Sequence, residues 1–93
     1  MIQVLLHGAG TMAECFGAAE QRLDLPDGAT LGDLLLRIEQ DHGERLAGSV
    51  WNWKEHRFRG PVVIMSGSRV LRDRATALRD QQKVTFTRAV VGG

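Results

Sequence analysis

The chain has 93 residues, 43% hydrophobic and 25% charged, with a formal net charge of +1. That length is one domain, able to bury roughly 60–65% of its unfolded surface without staples, and the interspersed signs exclude the basic footprint of a nucleic-acid binder. Cys15 is the one cysteine, so an internal disulfide is excluded and a reducing compartment is expected. No apolar run approaches the ~20 residues of a membrane span and no secretory pattern follows Met1, so the expectation is a cytoplasmic protein with neither membrane nor nucleic acid as partner.

Ile2, Val4 and Leu6 alternate with Gln3, Leu5 and His7, the pattern of a strand with one buried face. Met12, Cys15 and Phe16 come next at helical spacing, predicting a short helical turn. Gln21 to Leu25 alternates again and is stopped by Pro26, so a second strand pairs antiparallel with the first. Thr30 reads as a helix N-cap, with Asp33 placed for a capping box. Leu31, Leu34, Leu35 and Ile38 then fall on one stripe, and Gly43 stands where a left-handed cap is expected.

Residues 44–60 are the least regular part and hold Trp51, Trp53, His56 and Phe58. They read as a long loop, open to either a covering or a recognition role, with packing expected for at least one tryptophan. Val62-Val63-Ile64-Met65 is apolar on both faces and predicts a buried, central strand. Arg69-Val70-Leu71 predicts a short strand, Ala75 to Leu78 a single helical turn, and Lys83 to Val91 a last strand with Val84 and Phe86 inward. Two residues, Gly92 and Gly93, end the sequence.

A hairpin, a crossover helix and further strands build an α+β fold: a mixed sheet with one main helix packed on one face. The first and last strands can then lie parallel at the sheet centre, with a right-handed crossover between. This is the β-grasp, or ubiquitin-like, arrangement. It holds the last strand rigidly and lets the terminal residues project, here as a flexible Gly-Gly tail on a single domain spanning residues 1–93.

Leu23-Asp24-Leu25-Pro26-Asp27-Gly28-Ala29-Thr30-Leu31-Gly32-Asp33-Leu34-Leu35, preceded by Phe16-Gly17, resembles the first half of the MoaD/ThiS family of ubiquitin-like sulfur carriers, the molybdopterin-synthase small subunits and thiazole-synthesis carriers. Val62 to Gly67, Leu78-Arg79-Asp80 and Ala89-Val90-Val91-Gly92-Gly93 are similar to its second half. The resemblance covers nearly all of the chain except residues 44–60. The turn Ser66-Gly67-Ser68, the segment Asp80-Gln81-Gln82 and the pair Arg88-Ala89 depart from the family pattern.

The resemblance implies a carrier rather than an enzyme. An E1-like adenylyltransferase would transfer AMP from ATP to the Gly93 carboxylate, a persulfide donor would convert it to a thiocarboxylate, and a sulfur-accepting enzyme, such as the molybdopterin-synthase large subunit, would consume it. Molybdopterin synthesis is the expected destination. The chain itself would bind no cofactor, ATP being used by the partner. Gly93 is the reacting residue and Gly92 gives clearance in a narrow nucleotide site, where a side chain would collide. Val90 and Val91 are expected to anchor the tail against a partner. Docking on the sheet face free of the helix would use either Val62 and Ile64 or Val63 and Met65, Ile64 and Met65 being taken as the contacts. The alternative is a ubiquitin-like modifier joined to lysines through the same glycine.

Other chemistry is weakly supported. Cys15 reads as a small core hydrophobe. His7, His42 and His56 have no partner at metal-ligand spacing, so no metal site is expected. Gly8-Ala9-Gly10 lacks the third glycine and the βαβ context of a dinucleotide fingerprint.

Overall fold

Alternation places Val4 and Leu6 in the core from β1 (Ile2–Gly8), which pairs antiparallel with β2 (Glu20–Leu25) from Ile2 opposite Leu25 to His7 opposite Glu20. The structure, a computed structural model, describes residues 1–10, 12–46, 51–59 and 62–88. Between the paired strands, α1 (Met12–Phe16) buries Met12 and Phe16. Gly8 is the floor of this packing, because a Cβ there would meet Phe16 Cδ2 at 2.8 Å and the backbone of Met12 and Ala13 at 2.9 Å.

Helix α2 (Leu31–His42) begins as its cap predicts: Asp33 N donates to Thr30 Oγ1 (3.3 Å) and Thr30 N to Asp33 Oδ2 (2.9 Å). Each bond satisfies a donor that a helix start leaves without an intrahelical partner. Leu31, Leu34, Leu35 and Ile38 are all buried. Gly43 departs from expectation. Its φ of −51° and ψ of −38° are right-handed, and the chain continues into a 3-10 turn, Gly43–Arg45. What the missing side chain provides is room: a Cβ at Gly43 would lie 3.0 Å from Trp53 Cη2.

The irregular stretch contains a small hairpin, β3 (Trp51–Asn52) and β4 (Arg57–Phe58). Its turn is held by Asn52 Oδ1, which accepts from the backbone N–H of Lys54 and Glu55, both at 3.0 Å. His56 closes it in the left-handed region at φ +55°. Trp51 is fully buried and packs edge-on to Phe58 at 4.8 Å, whereas Trp53 is 46% exposed. One tryptophan is core, as expected, and the other is surface.

The remaining strands are β5 (Val62–Ser66), β6 (Arg69–Val70) and β7 (Gln82–Arg88). The main sheet has the order β2-β1-β7-β5-β6, with β1 and β7 parallel. A hairpin, a helix across one face and parallel first and last strands at the centre give the β-grasp arrangement. Val84 and Phe86 of β7 join Val4, Leu6 and the α2 stripe in one core.

Two expectations are corrected. β5 is half-buried along its whole length rather than buried on both faces; its outer neighbour β6 pairs with it at just Met65 and Ser66, so the strand stands near an edge and β7 takes the centre. Ala75 to Leu78 forms no helical turn. Ala77 instead bridges Thr30 antiparallel, with Leu31 N donating to Thr76 O (2.9 Å) and Leu78 N to Ala29 O (2.8 Å). The start of α2 supplies the backbone partners that a local turn would otherwise have supplied.

Candidate functional site

The last described strand is also among the most firmly held. β7 lies between β1, paired from Val4–Gln82 to Gly8–Phe86, and β5, paired from Met65–Thr85 to Val62–Arg88. Beyond the end of β1, Ala9 N still donates to Phe86 O (2.9 Å). The Phe86 ring is clamped between Phe16 and Phe58, each with centroids 5.5 Å away. Backbone pairing on both edges and an aromatic clamp below fix the direction of the chain up to Arg88. Gly92, Gly93, Val90 and Val91, the expected working tail and its anchors, lie outside the described residues.

The two expected docking residues fall on opposite faces of the sheet. Ile64 sits beside Phe86 and packs against the core, together with Val62. Ile64 is thus on the helix side of the sheet, not on the uncovered face where docking through it is expected. Met65 lies opposite Thr85, and Val63 opposite Thr87, on the face that the helix does not cover. That face also carries Leu5 and His7 from β1, with His7 Nδ1 3.3 Å from Thr85 Oγ1. At its β2 edge, Lys83 Nζ approaches Glu20 Oε1 at 3.7 Å. The uncovered face is mixed: half-buried aliphatic groups in the middle, charged groups toward β2.

Cys15 is half-buried and packs against the core, and burial pushes its thiol pKa up against the opposing pull of Arg88. That is the environment of an inert thiol. His42 is buried on α2 with Nε2 2.9 Å from Gln21 Oε1, His7 faces the open sheet and His56 caps the small hairpin. Among the described residues no group of three or more His, Cys, Asp and Glu is placed to hold a metal ion. Among them, too, no helix is long and apolar enough to cross a membrane.

Sequence reasoning missed one polar cluster. Glu39 of α2 accepts from Trp51 Nε1 at 2.9 Å and from His56 Nδ1 at 3.0 Å to both carboxylate oxygens. The bond from Trp51, with a smaller contribution from His56, holds the Glu39 carboxyl below its ordinary pKa. The cluster ties the hairpin to the helix. Nothing in the spacing of residues 39, 51 and 56 marks it, because the pairing is set by where the hairpin lands.

No family model matches the sequence, and comparison with curated proteins finds no match. Solved structures do match. SAMP1 from Haloferax volcanii aligns over 98% of this chain and 99% of its own at 19% identity, with a TM-score of 0.79. The chain has the ubiquitin-like β-grasp fold. SAMP1 from Methanosarcina acetivorans, a small archaeal modifier protein, aligns over 100% of this chain and 98% of its own at 20% identity, TM-score 0.75. A Pyrococcus furiosus protein described as a molybdopterin converting factor, subunit 1, aligns over 97% and 100% at 20% identity, TM-score 0.74. The likeness runs over nearly the whole length in each case.

Proposed function

We propose that the chain is a carrier whose C-terminal glycine, Gly93, is activated by an E1-like adenylyltransferase and loaded with sulfur. The observation that carries this reading is the seating of β7: the strand leading to the Gly-Gly tail is paired on both edges and clamped by Phe16 and Phe58 up to Arg88. A rigid base ahead of two residues without side chains suits a terminus that must enter another protein's nucleotide site.

The chemistry starts from the carboxylate. Its charge is delocalised and its oxygen leaves badly, so its attack on ATP's α-phosphate, with pyrophosphate released, first makes an acyl adenylate. A partner's persulfide sulfur then displaces AMP to give an acyl disulfide. A thiol takes the partner's sulfur as a disulfide and leaves the thiocarboxylate on Gly93. The product is a soft sulfur nucleophile for a downstream enzyme, molybdopterin synthesis being the destination that the family resemblance favours.

The likeness to two small archaeal modifier proteins favours a second reading, a modifier joined through Gly93 to lysines of other proteins. Both readings share the adenylation step. Intact mass after incubation with ATP, the adenylyltransferase and a persulfide donor separates them. Replacement of one oxygen by sulfur, absent in Gly93→Ala, supports the carrier; isopeptide-linked conjugates in lysate, lost in the same variant, support the modifier. Pyrophosphate release unaltered by Gly93→Ala would overturn both.

A further inference from the structure

Signs alternate locally, as the sequence shows, but the two halves of this nearly neutral chain differ in balance: residues 1–46 carry eight Asp and Glu against three Arg, and residues 51–88 carry nine Lys and Arg against three Asp and Glu. The fold concentrates part of the basic half around an apolar groove of about 490 Å³, between α2 and the β5–β6 edge. Leu31 and Leu35 form one wall, Ile64 and Leu71 the other, and Phe58 closes one end. Arg57, Arg72 and Arg74 stand around it. Val70, 44% exposed, continues the apolar surface at the rim.

Among the described residues these three arginines have one carboxylate partner, Glu55 on Arg57. Arg74 is held by its Nη1 donating to the Glu55 backbone oxygen at 2.7 Å, a carbonyl and not a carboxylate. Arg57 reaches the exposed Glu55 carboxylate at 3.3 Å, a loose surface pair worth little. Arg72 is exposed and makes no ion pair among the described residues. Asp73, the other nearby acid, accepts from Ala75 N at 2.9 Å.

Among the described residues, the strand bordering the groove is also unpaired at one point of its outer edge. Leu71 N donates to Ile64 O at 2.8 Å, the last bond on that edge toward β6. Backbone direction alternates along a strand, so the N–H and C=O of Val62 face the same edge, past that last bond, and no described residue pairs with them there. Guanidinium groups bind carboxylates in forked pairs, an aliphatic floor holds an apolar side chain, and a free strand edge accepts an extended chain.

We propose that this groove docks an extended acidic segment of a partner protein, with an aliphatic side chain on the apolar floor and flanking carboxylates on Arg57, Arg72 and Arg74. A nucleic acid would meet the arginines with its phosphates but offers no aliphatic side chain on an extended backbone to fill the leucine-lined groove beside a strand edge. The proposal does not depend on the tail and survives or fails apart from the carrier reading.

The test is fluorescence anisotropy of the full chain with labelled Asp-Glu-Ile-Val-Leu-Glu-Asp, its amide analogue with Asn and Gln for the acids, and a ten-residue oligothymidine. The acidic peptide is expected to bind at least about tenfold more tightly than its amide analogue, the margin of one charged hydrogen bond, and to weaken with salt. Arg72→Glu, at an exposed side chain, should lower that affinity at least tenfold with unchanged circular dichroism. Val70→Asp should also weaken it, and Arg22→Glu on the far edge strand should not. Absence of saturable peptide binding, equal binding of the amide analogue, indifference to Arg72→Glu, or preference for the oligonucleotide would each overturn the proposal.

Discussion

Glu39 offers the sharpest test of how the small hairpin is fastened to the helix. Glu39→Ala removes the acceptor of Trp51 Nε1–H, and Trp51 is wholly inaccessible to water. An orphaned buried donor costs about 1–3 kcal/mol. The His56 contact adds at most about 1 kcal/mol, since that ring is 46% exposed. The sum, roughly 1–4 kcal/mol, is a large share of the ~5–14 kcal/mol expected for a domain of this size, and corresponds to a fall in Tm of roughly 5–30 °C.

Glu39→Gln keeps an acceptor for Trp51 and removes the charge, isolating the smaller, pH-dependent part. Because the folded state lowers the Glu39 pKa, that part is fully present above the ordinary carboxylate pKa and is lost as pH falls through the lower, folded value. Thermal unfolding by circular dichroism across pH 7 to 3 should therefore show wild type and Glu39→Gln converging toward acid. Glu39→Ala should stay destabilised, since a protonated carboxyl still accepts from Trp51. A Glu39→Ala variant within about 0.5 kcal/mol of wild type, or a gap to Glu39→Gln that widens in acid, would refute the reasoning.

Gly8→Ala should cost about 3 kcal/mol in urea unfolding with an unchanged m-value, because two of the three close approaches to a Cβ are backbone atoms that cannot rotate away. Thr30→Ala should cost about 1 kcal/mol by the same assay through loss of the capping box. Substitution on neighbouring β5 positions should separate the faces of the sheet. Ile64→Glu places a carboxylate against Phe86 and should destabilise by about 2 kcal/mol or more. Met65→Glu should leave the unfolding midpoint nearly unchanged and slow adenylylation by the partner; equal effects of the two on stability would contradict the assignment of faces.

Strand and helix positions are legible where one periodic pattern meets one buried face. Val4 and Leu6, the Leu31 to Ile38 stripe, and Val84 and Phe86 are all core, and Thr30 with Asp33 caps as its spacing says. The errors share a cause: the partner lies far away in sequence. Gly43 reads as a left-handed cap because local rules know helix ends, whereas Trp53 sits over it. Ala75 to Leu78 reads as helical because its bridge to Thr30 is invisible locally. Val62 to Met65 reads as central because four apolar residues in a row carry no record of a two-residue neighbour strand. The same limit hides the site: alternation cannot say which of Ile64 and Met65 faces outward until the register with β7 is known.

The parallel pairing of β1 with β7 has a kinetic consequence. Val4 meets Gln82 and Gly8 meets Phe86, so the middle of the sheet is closed by contacts between nearly the two extremes of the chain. Such non-local pairing is slow to form, since loop-closure entropy is lost before any contact compensates it. Until β7 reaches β1, the slot between the first hairpin and β5 has no strand to fill it. Seating β7 is then the step that completes the sheet, and any partner that reads this strand in place distinguishes folded chains from unfolded ones.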